Sequence, residues 1–251
     1  MPITFLSDFG TADAYVGEVK GVLASAAPAV PIIDVSHAVP PGNVRTAGYI
    51  LGRTWSRFPA GTVHLIVVDP GVGTDRGALA CAAGGHFFVA PDNGVLTPVL
   101  SRGDARLVRL EPGPDASPTF HGRDLFGPAA ARLAMTGRLD AVGTPFIGQP
   151  VLLTATEPVY QGKSVIGEVI HVDRFGNIIT NLTAEHVPAY AVLEVEDTVI
   201  GPLRQTFGDV PAGELLAYLG SGGTVEIAVR DGSASRRLGL GLGGQVRARL
   251  G

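Results

Sequence analysis

Apolar and polar positions follow two different rhythms along this chain. Over the first half, short β-branched runs alternate with stretches of helical period, the pattern of a parallel sheet covered by helices. Ile3 to Ser7 reads as a strand, Asp13 to Ala26 as a helix, Val30 to Val35 as a strand, and Asn43 to Phe58 as a helix with Asn43 as its N-cap. Val63 to Val68 is the most apolar strand, and its run His64-Leu65-Ile66-Val67-Val68 suits a central position buried on both faces. Ala78 to Ala83 and His86 to Ala90 predict a hairpin across Gly84-Gly85. Arg106 to Leu110 adds a strand and Arg123 to Thr136 a helix.

The rhythm changes after Gly143 to Pro158, a stretch with Pro145, Pro150 and Pro158 and little periodicity. Beyond it come short strands separated by Gly, Asn, Asp and Pro, with Ala184 to Ala189 the one segment that could form a helix. The expected architecture is therefore an α/β N-terminal domain over 1–155, with a mostly parallel sheet flanked by helices. A smaller all-β C-terminal domain over 156–251 follows, an antiparallel barrel or sandwich.

Composition narrows the function classes. At 251 residues and 45% apolar, the chain is long enough for one large domain or two of ordinary size. Its net charge of −4 comes without a basic run, which argues against nucleic acid as a partner. No apolar stretch approaches the ~20 residues that span a bilayer, and a strand-like segment begins by Ile3 without a charged leader. A soluble, cytoplasmic protein with no membrane partner is expected. Cys81 is the single cysteine, which excludes an intrachain disulfide and a multi-thiolate metal site.

In an open parallel sheet, ligands bind outside the carboxyl ends of the strands, so the residues just after each strand carry the chemistry. Here these are Asp8, Ser36-His37, Asp69 through Arg76, Asp92-Asn93-Gly94, and Thr119 through Asp124. Each has a plain structural reading as well. Asp8 could cap the following helix, Ser36-His37 precedes a Pro-Pro-Gly turn, and Asp92-Asn93-Gly94 has ordinary turn chemistry. Asp69 and Arg76 could form a surface ion pair of little worth. A carboxylate directly after the most buried strand is costly to place without purpose, so a functional role is expected for Asp69. Gly239-Leu240-Gly241-Leu242-Gly243-Gly244 has dinucleotide-loop spacing but only a terminal strand after it, so no helix N-terminus would meet a pyrophosphate. Phosphate-loop, His-Glu-x-x-His and Gly-x-Ser-x-Gly motifs are absent from the sequence. A metal held by Asp8, Asp69 and His121 stays open at this point.

Five segments, in order, carry a resemblance. Thr4 to Gly10, Val68 to Arg76, Ala90 to Gly94, Thr119 to Asp124 and Val172 to Asn177 resemble the S-adenosyl-L-methionine hydroxide adenosyltransferases, relatives of the fluorinase and chlorinase. The resemblance implies hydrolysis of S-adenosylmethionine at C5′ by a homotrimer, with no metal and no cofactor beyond the substrate itself. It implies a catalytic set of Asp69, Arg76 and His121. Asp8 matches the carboxylate that holds the ribose hydroxyls, Asp173 the group at the methionine amino end, Phe175 a ring on adenine, and Asn177 an amide at the adenine edge. Ser221 matches the contact to the methionine head. In the resembling trimers each site lies between the N-terminal domain of one subunit and the C-terminal domain of its neighbour.

The sulfonium already makes C5′ electrophilic and leaves as a neutral thioether, so no general acid is needed. Arg76 cannot act as base because a guanidinium stays protonated; Asp69 or His121 takes the water proton. The halogenases have a Tyr where this chain has Asp69, and an anion there repels halide. Where the fluorinase has an Arg after the serine, this chain has Gly222. Two other readings are a trimer that binds S-adenosylmethionine as a sensor and a C5′ transferase that uses halide.

Overall fold

The computed structural model describes residues 1–251, which divide into two compact units, Met1–Leu153 and Thr154–Gly251. The first unit runs β1 (Ile3–Ser7), α1 (Tyr15–Ala26), β2 (Ile32–Ser36), α2 (Val44–Thr54), β3 (Val63–Val67), β4 (Ala78–Ala83), β5 (His86–Pro91), α3 (Thr97–Leu100), β6 (Arg106–Arg109), α4 (Gly127–Thr136) and β7 (Thr144–Pro145). Its seven strands form one sheet in the order β2-β1-β3-β5-β4-β6-β7. β2, β1, β3 and β5 are parallel to one another, whereas β4, β6 and β7 join by antiparallel pairing. The sheet is mixed, which corrects the expectation of a mostly parallel one. The cause is local: Gly84 and Gly85, with φ of 55° and 78°, turn the chain straight back after β4, so β5 returns antiparallel to it.

β3 has neighbours on both edges, and its alternate side chains feed two cores. Val63, Leu65 and Val67 pack with Phe5, Leu23, Phe126 and Leu133 beneath α1 and α4. Ile66 and Val68 pack with Leu51, Trp55 and Phe88 beneath α2. This period-two division makes β3 apolar on both faces and places its C-terminal end in the middle of the unit. Each such Leu or Phe stabilises by about 1.5–3 kcal/mol when fully buried. α2 starts as its sequence predicts, with the Asn43 side chain accepting from Thr46 N at 2.9 Å. α4 starts later than expected: Gly122–Phe126 first makes a π-helical turn, with Gly127 N donating to Gly122 O.

The second unit is β8 (Val159–Gln161), β9 (Ser164–Val172), β10 (Ile178–Thr183), β11 (Val192–Val195), β12 (Thr198–Gly201), β13 (Leu203–Arg204), β14 (Leu215–Leu219), β15 (Thr224–Val229), α5 (Ala234–Leu238) and β16 (Gln245–Arg249). The nine strands follow the path β12-β11-β16-β9-β10-β15-β14-β13, with β8 on β9, and all pairs except β13 with β14 are antiparallel. The sheet curls like a barrel around Val165, Ile178, Leu182, Leu193, Val225 and Ile227. Ala184 to Ala189 forms a turn instead of a helix. The Gly239 to Gly244 stretch is the connection from α5 to β16, so it meets no helix N-terminus.

Candidate active site

The 69–76 loop leaves the end of β3 and doubles back on itself. Val72 N donates to Asp69 O, Thr74 N donates to Gly71 O, and Gly73 takes a φ of 80°. A Cβ at Gly73 would lie 2.8 Å from the Pro118 carbonyl oxygen, so the loop needs glycine both for its conformation and for its close approach. Doubling back brings Arg76 onto Asp69. Arg76 Nε donates to Oδ1 at 2.9 Å and to Oδ2 at 3.1 Å, and Nη2 donates to Oδ2 as well. The two side chains are 11% and 6% exposed, which makes this a buried pair and not the weak surface pair.

Arg76 Nη2 also lies 2.8 Å from His121 Nδ1, and the guanidinium stacks 5.3 Å over the Phe126 ring. Burial first, and the neighbouring Arg76 charge second, lower the His121 pKa, against smaller opposing effects of Asp69 and Asp124. The ring is therefore neutral near pH 7. Because a guanidinium has no acceptor, Nδ1 must be the acceptor in this contact, which places the ring proton on Nε2.

Asp69 and His121 line a cleft of about 310 Å³ together with Asp8, Phe9, Tyr15 and Phe120. Asp8 does not cap α1, which begins at Tyr15 without a side-chain cap; its Oδ2 accepts from Gly42 N at 2.7 Å. Phe9, Tyr15 and Phe120 touch pairwise, with ring centroids 5.4–5.8 Å apart. The cleft thus combines carboxylates with aromatic surface, a pairing suited to a cationic organic ligand. A metal held by Asp8, Asp69 and His121 does not fit: Arg76 donates to both Asp69 oxygens and takes the one His121 lone pair, and its fixed positive charge against these two side chains repels a cation. No group of three or more His, Cys, Asp or Glu side chains is arranged to hold a metal ion.

The four remaining residues fall in two loops of the second unit. Asp173, Phe175 and Asn177 form the β9–β10 turn. Asp173 Oδ1 accepts from Phe175 N and Asn177 N, both at 2.9 Å, and Oδ2 accepts from Asn177 Nδ2 at 2.8 Å. These bonds leave the Phe175 ring 76% exposed at the tip. Ser221 is exposed in the β14–β15 turn, at the other end of the β10–β15 ladder. Three residue steps along β15, about 10 Å of extended chain, separate the paired ends Ile227 and Thr224.

Comparison with known proteins identifies the family. The sequence model of the SAM hydroxide adenosyltransferase N-terminal domain matches residues 3–143, and that of the C-terminal domain matches residues 167–247. This chain belongs to the SAM hydroxide adenosyltransferase family. It is 43% identical to an (R)-S-adenosyl-L-methionine hydrolase of Thermus thermophilus over 98% of both chains. A protein of the same name from Salinispora tropica is 40% identical over 99% of this chain and 98% of its own. A fluorinase from an Actinoplanes species is 26% identical over 90% of each. The crystal structure of a conserved protein from Thermotoga maritima superposes with a TM-score of 0.91 at 39% identity, covering 98% of this chain and 99% of that one.

Sequence reasoning about this family member missed part of the cleft. Tyr15 falls inside the segment Asp13 to Ala26 read as a helix, and periodicity reports a helix face but not that its ring lines a cleft. Asp92-Asn93-Gly94 keeps its plain turn reading: Asn93 Nδ2 holds the Val68 carbonyl at 2.9 Å and Asp92 Oδ1 accepts from Val151 N. Arg123 and Asp124 are likewise structural, since Arg123 pairs with Asp124 and Glu18, and Asp124 accepts from Ser117 N.

Proposed function

We propose that this chain hydrolyses S-adenosyl-L-methionine to adenosine and L-methionine by attack of water at C5′. The observation that carries the reading is the buried Asp69–Arg76–His121 cluster at the wall of the cleft, in a chain 40–43% identical to proteins named (R)-S-adenosyl-L-methionine hydrolase. Those names support the epimer with R configuration at sulfur as the preferred substrate.

The water oxygen forms a bond to C5′ as the C5′–S bond breaks. The bonding pair moves onto sulfur, which leaves as a neutral thioether, and the water proton passes to the Asp69 carboxylate. His121 is not the base: its one lone pair faces Arg76, so it offers water an Nε2–H donor. Asp69 keeps lone pairs beyond those turned to Arg76 and can accept the proton. Arg76 acts through the other two, holding both in place. Fixing water opposite sulfur can contribute on the order of 7–11 kcal/mol in favourable cases. The Asp69 charge disfavours halide at the same position.

For the substrate we assign Asp8 to the ribose hydroxyls, Phe175 and Asn177 to adenine, Asp173 to the methionine amino group through its remaining Oδ2 lone pairs, and Ser221 to the methionine head. Asp8 and these residues lie on separate units, and a homotrimer that shares them between copies, acting in the cytoplasm without cofactor, completes the reading. No helix is long and apolar enough to cross a membrane.

Incubation with each sulfonium epimer in ¹⁸O-water, with product analysis by mass spectrometry, tests it. Adenosine labelled at the 5′ oxygen, formed faster from the (R) epimer, is the expected result. Binding without turnover would replace the hydrolase with a sensor, and 5′-chloroadenosine formed in chloride would replace the nucleophile.

A further inference from the structure

Behind Asp8 lies a second polar cluster that the proposed chemistry does not use. Ser7 Oγ and His37 Nδ1 are 2.7 Å apart, both side chains are buried, and His37 Nε2 lies 3.1 Å from Asp34 Oδ1. Asp34 in turn receives Lys20 Nζ at 2.6 Å. The order Ser, His, Asp suggests a nucleophile, yet Ser7 has no exposed surface, so no substrate carbon reaches it.

What the cluster does reach is the Asp8 loop. Ser7 is the residue before Asp8, Phe9 N contacts Ser7 Oγ at 3.4 Å, and Gly10 N donates to the His37 carbonyl at 2.7 Å. Asp8 itself is tied to Gly42 in the loop that follows His37. The β1–β2 register also slips here: Phe5 pairs with Asp34 but Leu6 pairs with Ser36, so β2 carries an extra residue where the two loops diverge. Such a bulge re-aims the residues that follow it. The Phe5 ring packs edge-on to His37 at 4.7 Å and fixes the imidazole plane.

We infer that His37 is a positioning residue for the ligand-binding carboxylate Asp8, acting through its hydrogen bond to Ser7. The inference rests on the ribose role proposed for Asp8. Because Asp8 would grip substrate and not the reacting atoms, His37 governs affinity and leaves the chemical step alone.

The test measures KM and kcat for S-adenosylmethionine, and adenosine affinity by calorimetry, in His37→Ala, His37→Asn, Ser7→Ala and the Ser7→Ala/His37→Ala double variant. His37→Ala is expected to raise KM and weaken adenosine binding about tenfold, with kcat within about twofold, as a lost positioning contact of about 1.4 kcal/mol implies. His37→Asn, whose amide can reach the Nδ1 position, is expected to recover most of the loss. The double variant is expected to be no worse than His37→Ala, because both changes break one contact. Unchanged adenosine affinity in folded His37→Ala, no recovery in His37→Asn, or additive losses would each overturn the inference while leaving the hydrolase standing. A wild-type chain that binds adenosine without hydrolysing S-adenosylmethionine overturns the hydrolase instead, and the adenosine series still decides the role of His37.

Discussion

The Arg76 guanidinium donates to Nδ1 of His121 at 2.8 Å, and this contact decides what the imidazole can do. A neutral ring whose lone pair faces a permanent cation is a donor through Nε2, not a base. Protonation would require Nδ1 to gain a hydrogen that points at Arg76, which is why the same neighbour helps to lower the ring's pKa.

The acid limb of kcat is therefore expected below pH 6.5, the ordinary histidine value, with no histidine-dependent change between pH 7 and 9. As pH falls through the lowered pKa, His121 becomes charged and the contact with Arg76 turns repulsive. A pH–rate profile of the wild type beside His121→Asn checks this, since the variant loses any limb that belongs to the imidazole.

Asp69→Asn keeps the size and most of the packing of the side chain but removes the proposed proton acceptor. Turnover is expected to fall by roughly 10²–10⁴, the usual contribution of a positioned general base. Adenosine affinity measured by calorimetry is expected to stay within about threefold. An equal loss in both would make Asp69 a binding group.

Gly73→Ala places a methyl group against the Pro118 carbonyl and forces an L-residue into positive φ. The expected cost is about 1–3 kcal/mol of stability, read by denaturant unfolding. A drop in kcat should accompany it, because the same loop carries Asp69 and Arg76.

Far from the cleft, His64 Nδ1 meets Thr4 Oγ1 at 2.8 Å and its Nε2 meets His86 Nδ1 at 3.1 Å. Burial chiefly, with the His86 charge adding to it, lowers the His64 pKa to about 3; burial lowers that of His86 as well. The unfolded chain takes these protons near pH 6.5, whereas the folded chain resists them. Stability is thus complete above pH 6.5 and falls as pH drops from there toward 3, by about 1.4 kcal/mol per pH unit for a single such ring. His64→Gln is expected to flatten that slope in urea unfolding between pH 4 and 7.

Much of this protein is local and could be read along the chain. The unbroken apolar run from Leu65 to Val68 marks a strand apolar on both faces, Asn43 marks a helix start, and Gly84-Gly85 marks a hairpin. The loops after β1 and β3 carry Asp8, Asp69 and Arg76 because a sheet exposes its carboxyl ends, a rule that needs no coordinates. That hairpin sets β4 antiparallel to β5 locally, whereas the pairing of β5 with β3 and of β4 with β6 joins segments distant along the chain and is seen only in the tertiary structure. The tertiary structure likewise decided the difference between a surface ion pair and a buried clamp at Asp69 and Arg76, since their burial comes from packing against Phe126 and His121, some fifty residues away. It also decided the His121 tautomer and the contact of His37 with Ser7, the residue before Asp8. Propensity and periodicity act over a few residues, whereas protonation states and hydrogen-bond partners are set by whatever the fold brings within about 3 Å.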